Sequence, residues 1–240
     1  MFPYDPALAT IAQKEAQSIP EVLASLRSID ATCGDHDGLK WFNWLYLQVT
    51  EAVAGQTGAG GFHDVAWLAQ LDVQFARMYL AALRSWLTAQ PIPSCWQVLF
   101  EKRDQARLGR IQFAMAGINA HINHDLAAAI VATCQATGTR PVPAGPQHSD
   151  YTAVNATLEA LIDSARHTLH LRLLGDILPP ASALEDALAG WNMGAARELA
   201  WRNAEHLWHL RSTPALETGF LDMLDGFTTV IGKSLMIPVL

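Results

Sequence analysis

Five polar residues crowd the middle of a segment that otherwise carries almost none. Asn119, His121, Asn123, His124 and Asp125 fall within seven positions of RIQFAMAGINAHINHDLAAAIVATCQ (110–135), and from Ile111 to Cys134 there is no Lys, Arg or Glu. Helical spacing puts His121 and Asp125 four apart and His121 and His124 three apart, so the three point to one side. Asn119 and Asn123 form a second pair four apart on the adjoining side. An imidazole beside a carboxylate supports two chemistries. The Asp can orient the ring and raise its basicity, making His121 a general acid/base with Asp125 and His124 as its partners. Alternatively both side chains can ligate a divalent metal such as zinc, iron or manganese. A third reading is structural, a polar network that only ties the segment to its neighbours.

The helix that carries the cluster is apolar on every side, which places it inside the core. Buried unpaired polar groups cost a few kcal/mol each, so partners, water, a metal or a ligand must satisfy them. An Asp at mid-helix also speaks against a membrane span. Other segments can face the cluster. In GLKWFNWLYLQVTEAVA (38–54), Asn43, Tyr46 and Thr50 form a half-polar stripe among Trp41, Phe42 and Trp44, suited to lining a small-molecule site. Asp72, in the helical segment 64–88, is a further acceptor or metal ligand if it points inward. In 193–212, Arg197 and Trp201 lie four apart, and Arg197 can clamp an anion. The metal reading draws on His121, Asp125, Asp72 and His206. His167 and His170 read as surface or interface.

The surrounding pattern predicts an all-α fold: a single compact multi-helix domain over residues 1–240, built around the buried helix at 110–135. Period-two strand patterns are essentially absent, and 38–54, 64–88, 95–108, 110–135, 150–174 and 193–212 have helical length and patterning. Asp64 and Asp150 stand at N-cap positions and Gly138 at a C-cap position. The Pro- and Gly-rich stretch 137–150 reads as a long surface connection.

Composition sets outer bounds. Half of the 240 residues are hydrophobic, ample for a core, so the chain is not disordered. Sixteen Lys and Arg against 23 Asp and Glu leave a net charge of −7, without the basic face that nucleic acid requires. Cys33, Cys95 and Cys134 are too few and too scattered for a disulfide framework or a zinc knuckle, and they read as reduced thiols. No basic stretch followed by an apolar run opens the sequence, so the expected location is cytoplasmic. Walker, dinucleotide, G-x-S-x-G and H-E-x-x-H motifs are absent, as are paired Glu-x-x-His motifs.

DGLKWFNWLYLQVTEAV, FHDVAWLAQLDVQFARMYL, WQVLFEKR, DYTAVNATL, ARELAWRNAEHLW and above all FAMAGINAHINHDLAAAI resemble a mostly actinobacterial family of helical proteins catalogued as a domain of unknown function. The resemblance implies a compact all-α domain with this His/Asn/Asp helix as its hallmark, and no activity. A fainter similarity, in the His-x-x-x-Asp spacing of His121 and Asp125, is to the helical zinc-dependent phospholipase C and P1-nuclease fold. The sequence lacks that fold's N-terminal Trp ligand and a clear His-x-x-x-Glu pair.

The functional expectation is therefore a small-molecule enzyme. His121 and Asp125 would perform acid/base chemistry (cyclisation, isomerisation or hydrolysis) on a largely apolar substrate of secondary-metabolite type. Asn119, Asn123, Asn43, Tyr46, Asp72, Arg197 and Trp201 would bind the substrate. The alternatives are a metal-dependent hydrolase and a non-catalytic helical binding or scaffold protein. Oligomerisation is left open.

Overall fold

A computed structural model describes residues 2–161, 164 and 192–238. Among these the regular structure is helical and contains no strand. The elements used below are α1 (Asp5–Ala12), α2 (Ile19–Thr32), α3 (Gly38–Ala59), α4 (Val65–Leu87), α5 (Ser94–Glu101), α6 (Arg110–Ala120), a π-helical turn (His121–Asp125), α7 (Leu126–Thr137), α8 (Pro146–Ala153), α9 (Met193–Leu210) and α10 (Pro214–Leu235).

The run α6–π turn–α7 is the axis of the fold, as its apolar composition requires. Every residue from Ile111 to Ala120 is buried, polar ones included. α3 packs along α6, α4 and α9 along α7, and α10 lies across α5 and α6. A continuous cluster of buried apolar side chains runs through these contacts, from Leu8 in α1 to Met236 beyond α10. Close approach of α3 to the axis depends on two glycines. A Cβ added at Gly117 would lie 2.2 Å from the Phe42 ring, and one at Gly38 would lie 2.2 Å from Phe113.

Helix ends follow local chemistry. Asp64 caps α4 by accepting from the Trp67 N–H, and Asp37 caps α3 by accepting from Leu39 N–H. Gly138 ends α7 in the left-handed region (φ 66°), where a Cβ would be strained. Asp150 corrects its expected role. Pro146 at the first turn starts α8 four residues earlier, so Asp150 is inside that helix. Its carboxylate reaches across to accept from His63 N–H (2.9 Å) and Asp64 N–H (2.6 Å), capping α4 from outside.

Other boundaries also shift. α5 stops at Glu101 rather than 108, because Arg103 turns inward to the buried carboxylates of Asp37 and Asp5. That ion cluster, joined by the Tyr4 hydroxyl donating to Asp37, pins α1, the start of α3 and the segment after α5 together. The helix expected over 150–174 breaks at Val154, with 155–161 helical again. Its remainder, with His167 and His170, lies outside the described residues apart from 164. α1, α2 and α10 form from segments not singled out in the sequence, each with Pro in its first turn. Among the described residues no helix is long and apolar enough to cross a membrane.

The α3–α6 contact makes a direct prediction. Gly117→Ala forces its new methyl into Phe42, so it should lower stability by about 1–3 kcal/mol, seen as a reduced urea midpoint with unchanged slope.

Candidate functional site

The π turn holds the chemistry. Its defining bond is Leu126 N–H to the His121 carbonyl, five residues apart, flanked on both sides by ordinary helix. Single π turns of this kind widen a helix locally and often accompany functional sites. Here the widened turn carries His121 and Asp125 into the interior, where each retains 3% or less of its exposure.

Asp125 is the centre of a dense donor set. Its Oδ2 accepts from Trp96 Nε1–H (3.0 Å) and lies 3.0 Å from His121 Nδ1, while Oδ1 lies 2.7 Å from His124 Nδ1. Burial alone would lift the Asp125 carboxyl, but the bonds from His121 and His124 outweigh it and hold the group below its usual range. Asp125 is therefore an anion and an acceptor at neutral pH. That fixes the proton of His121 on Nδ1, pointing at the carboxylate. His121 itself is held below its ordinary value by burial, against the pull of Asp125. It is a neutral imidazole at pH 7, with an Nε2 lone pair.

That lone pair is unpartnered. His121 Nε2 is buried and makes no hydrogen bond. The ring lies flat on Phe75 (centroids 3.4 Å apart, planes 3° off parallel), with Tyr46, Phe42 and Trp96 edge-on or tilted around it at 4.7–5.9 Å. This cage fixes the ring plane and keeps water from it. Its open side gives onto a cavity of about 80 Å³ lined mainly by apolar side chains of α3, α4 and the axis. The polar groups on that lining are His121, Tyr46, Thr50, Asp72 and Arg197.

Asp72 is the second unusual group. One carboxylate oxygen, Oδ2, is out of solvent with no hydrogen-bond partner. Burial pushes its carboxyl up to about 7, with Arg197 pulling the other way. The cavity wall thus carries a neutral base and a carboxyl that is part-protonated at neutral pH, two groups whose surroundings have moved them toward each other. Burial and the Asp72 charge also keep the Tyr46 hydroxyl protonated. Arg197 is held by Asn155 Oδ1 (2.7 Å) and the Tyr151 carbonyl (2.8 Å), and it stacks on the Tyr151 ring.

Five of the expected site residues find other places. Asn119 and Asn123 do not line the cavity. Asn119 Nδ2 donates to the Thr228 carbonyl, and its Oδ1 accepts from Asn123 Nδ2, which ties the axis to α10. Asn43 donates to the Leu26 carbonyl and accepts from the Tyr79 hydroxyl, joining α2, α3 and α4. Trp201 packs between Trp67, Tyr151 and His148. His206 is an exposed residue of α9 beside Phe220, apart from the cavity. The metal set His121, Asp125, Asp72 and His206 is thus not assembled, since the Asp125 oxygens serve three ring N–H groups and His206 faces outward. Phe75 and Trp96 were missed. Their apolar bodies carry no motif, although the Trp96 N–H had to find an acceptor once buried.

The fold and this polar axis define a helical protein with a buried His–Asp pair opening on an apolar cavity. The chain belongs to a family of unknown function, DUF5995, whose model matches residues 19–238. Neither the curated proteins nor the solved structures gave a match.

Asp72 supplies a stability prediction. Its folded value lies above its unfolded value, so it contributes most when protonated and loses that contribution as pH rises from about 4 through about 7. Asp72→Asn should therefore raise stability at pH 8, by up to about 4 kcal/mol. The gain should vanish near pH 4, which thermal unfolding across that range would read.

Proposed function

We propose that the protein is a small-molecule enzyme in which His121 acts as a general base on a largely apolar substrate. The observation that carries this reading is the buried, unpartnered Nε2 of His121, a residue that lines an apolar cavity while its Nδ1 is held by Asp125. Asp125 takes one ring nitrogen, and among the described residues no group takes the other. Leaving one bare costs about 1–3 kcal/mol, and a ligand proton is the natural partner to recover it.

The roles follow from the groups on the wall. His121 Nε2 removes a proton from the bound substrate, and Asp125 stabilises the imidazolium that forms. Asp72, when protonated, returns a proton at a second position, so the pair moves a proton without net consumption. Tyr46 offers its hydroxyl to a substrate oxygen, while Thr50 spends its own on the Tyr46 carbonyl, and Arg197 supports negative charge developing near Asp72. Proton transfer of this kind fits isomerisation or cyclisation of an apolar carbonyl compound, and hydrolysis if water enters. Metal-dependent hydrolysis through His121 and Asp125 has less support, because Asp125 already accepts from Trp96, His121 and His124.

Two measurements test the proposal. Nitrogen-15 correlation spectra should show His121 as the Nδ1–H tautomer, titrating below its ordinary value of 6.5. Incubation with a panel of small apolar ketones in D2O should give deuterium incorporation beside the carbonyl, and His121→Gln should slow it by about 10²–10⁴-fold. Gln keeps a donor for Asp125 but has no basic nitrogen. If His121→Gln and His121→Ala lower stability while binding and exchange of every panel member stay at the wild-type level, the cluster is a structural network and the enzyme reading fails.

A further inference from the structure

The opposite side of Asp125 carries a different constellation. Asp225, in the middle of α10, turns toward the N-terminus of α5 and accepts from Ser94 N–H and Cys95 N–H, each at 2.8 Å. This brings its carboxylate beside Cys95 and beside His124 of the π turn. A sulfur of Cys95, a ring nitrogen of His124 and a carboxylate oxygen of Asp225 all lie within 4.8 Å of one another. Among the described residues this is the group of His, Cys, Asp and Glu side chains close enough to share a metal.

We infer that Cys95, His124 and Asp225 form a binding site for one divalent cation of the zinc class. The donor set is one thiolate, one imidazole and one carboxylate, which suits a borderline-soft, four-coordinate ion better than magnesium or calcium. Tetrahedral sites place ligand atoms about 3.3–3.8 Å apart, so the three side chains need to close by roughly 1 Å. His124 has one ring nitrogen to give. Its Nδ1 is committed to Asp125 Oδ1 at 2.7 Å, which leaves Nε2 as the ligating nitrogen and makes Asp125 the outer carboxylate that metal-bound histidines commonly have. Each Asp225 oxygen accepts one backbone N–H, and the Cys95 thiol also bonds this carboxylate, so an ion would take the place of the thiol proton between them.

Access comes from the side. Cys95 is buried, but His124 keeps some exposure and lines an open cavity of about 430 Å³ with Asp125, Trp96, Pro91, Ile92 and Pro93. Of the three ligands His124 alone lines that cavity, which makes its ring the point of entry for an ion. Binding releases the Cys95 thiol proton, and from the imidazolium form of His124 the Nε2 proton too, to solvent, and no oxidation or reduction takes place. The site meets the proposed base His121 only through Asp125 and shares no ligand with it, so either reading can fail without the other.

Cobalt(II) titration of the reduced, metal-stripped full chain is the test. One equivalent should produce a thiolate-to-cobalt charge-transfer band and the visible spectrum of a four-coordinate ion, and zinc should displace both. Cys95→Ser should abolish the charge-transfer band, His124→Gln should weaken binding at least tenfold, and His121→Gln should leave the titration unchanged. Circular dichroism checks that each variant is folded. Absence of a charge-transfer band in the wild-type protein overturns the inference whatever the variants do. So does a band that survives Cys95→Ser, which would assign the sulfur to Cys33 or Cys134.

Discussion

One carboxylate, almost fully withdrawn from solvent, governs the interior. Removing an anion from water costs several kcal/mol even after relaxation, and Asp125 recovers this through three donors from two elements: Trp96 on α5, and His121 and His124 on the π turn itself. Each donor is itself constrained. Trp96 must sit against the axis, His121 must lie flat on Phe75, and α4 must run where Phe75 can reach. The positions of α4 and α5 relative to the central helix are thus set by an electrostatic demand as much as by apolar packing.

Asp125 also separates two environments. On one side the aromatic cage and the small cavity exclude water and hold His121 neutral. On the other, His124 borders an open space and a second carboxylate. Both rings refer their protons to the same acceptor, yet burial pushes His121 down while the Asp125 bond lifts His124 above its ordinary value. The two histidines are three residues apart and have opposite protonation tendencies. Sequence spacing alone would have treated them as equivalent.

What was legible follows from how far each interaction reaches. The central helix was plain because its lack of charge and its five polar residues are local facts. The N-cap at Asp64 and the C-cap at Gly138 were plain for the same reason. Asp72 and Arg197 were legible as candidates, since each is a charged residue flanked by apolar ones at helical spacing. The fates of Asn43 and Asn119 were not, because their partners are backbone carbonyls of Leu26 and Thr228, which carry no sequence signature. Asp150 was read as a local cap, while its carboxylate serves amides 86 and 87 positions away. The meeting of Cys95, His124 and Asp225 likewise needs three helices to converge. The π turn was invisible too, since residues four apart look alike in either kind of helix.

That turn has a consequence for how the molecule tolerates change in length. It holds one residue more than an α-helical turn would, and the wider turn takes up that residue without rotating the helix beyond it. Deleting one residue between 121 and 125 would therefore restore regular geometry and leave Ala129, Ile130, Val131 and Cys134 turned into the core. The loss would fall on the site alone, because the placing of His121 and Asp125 depends on that extra residue.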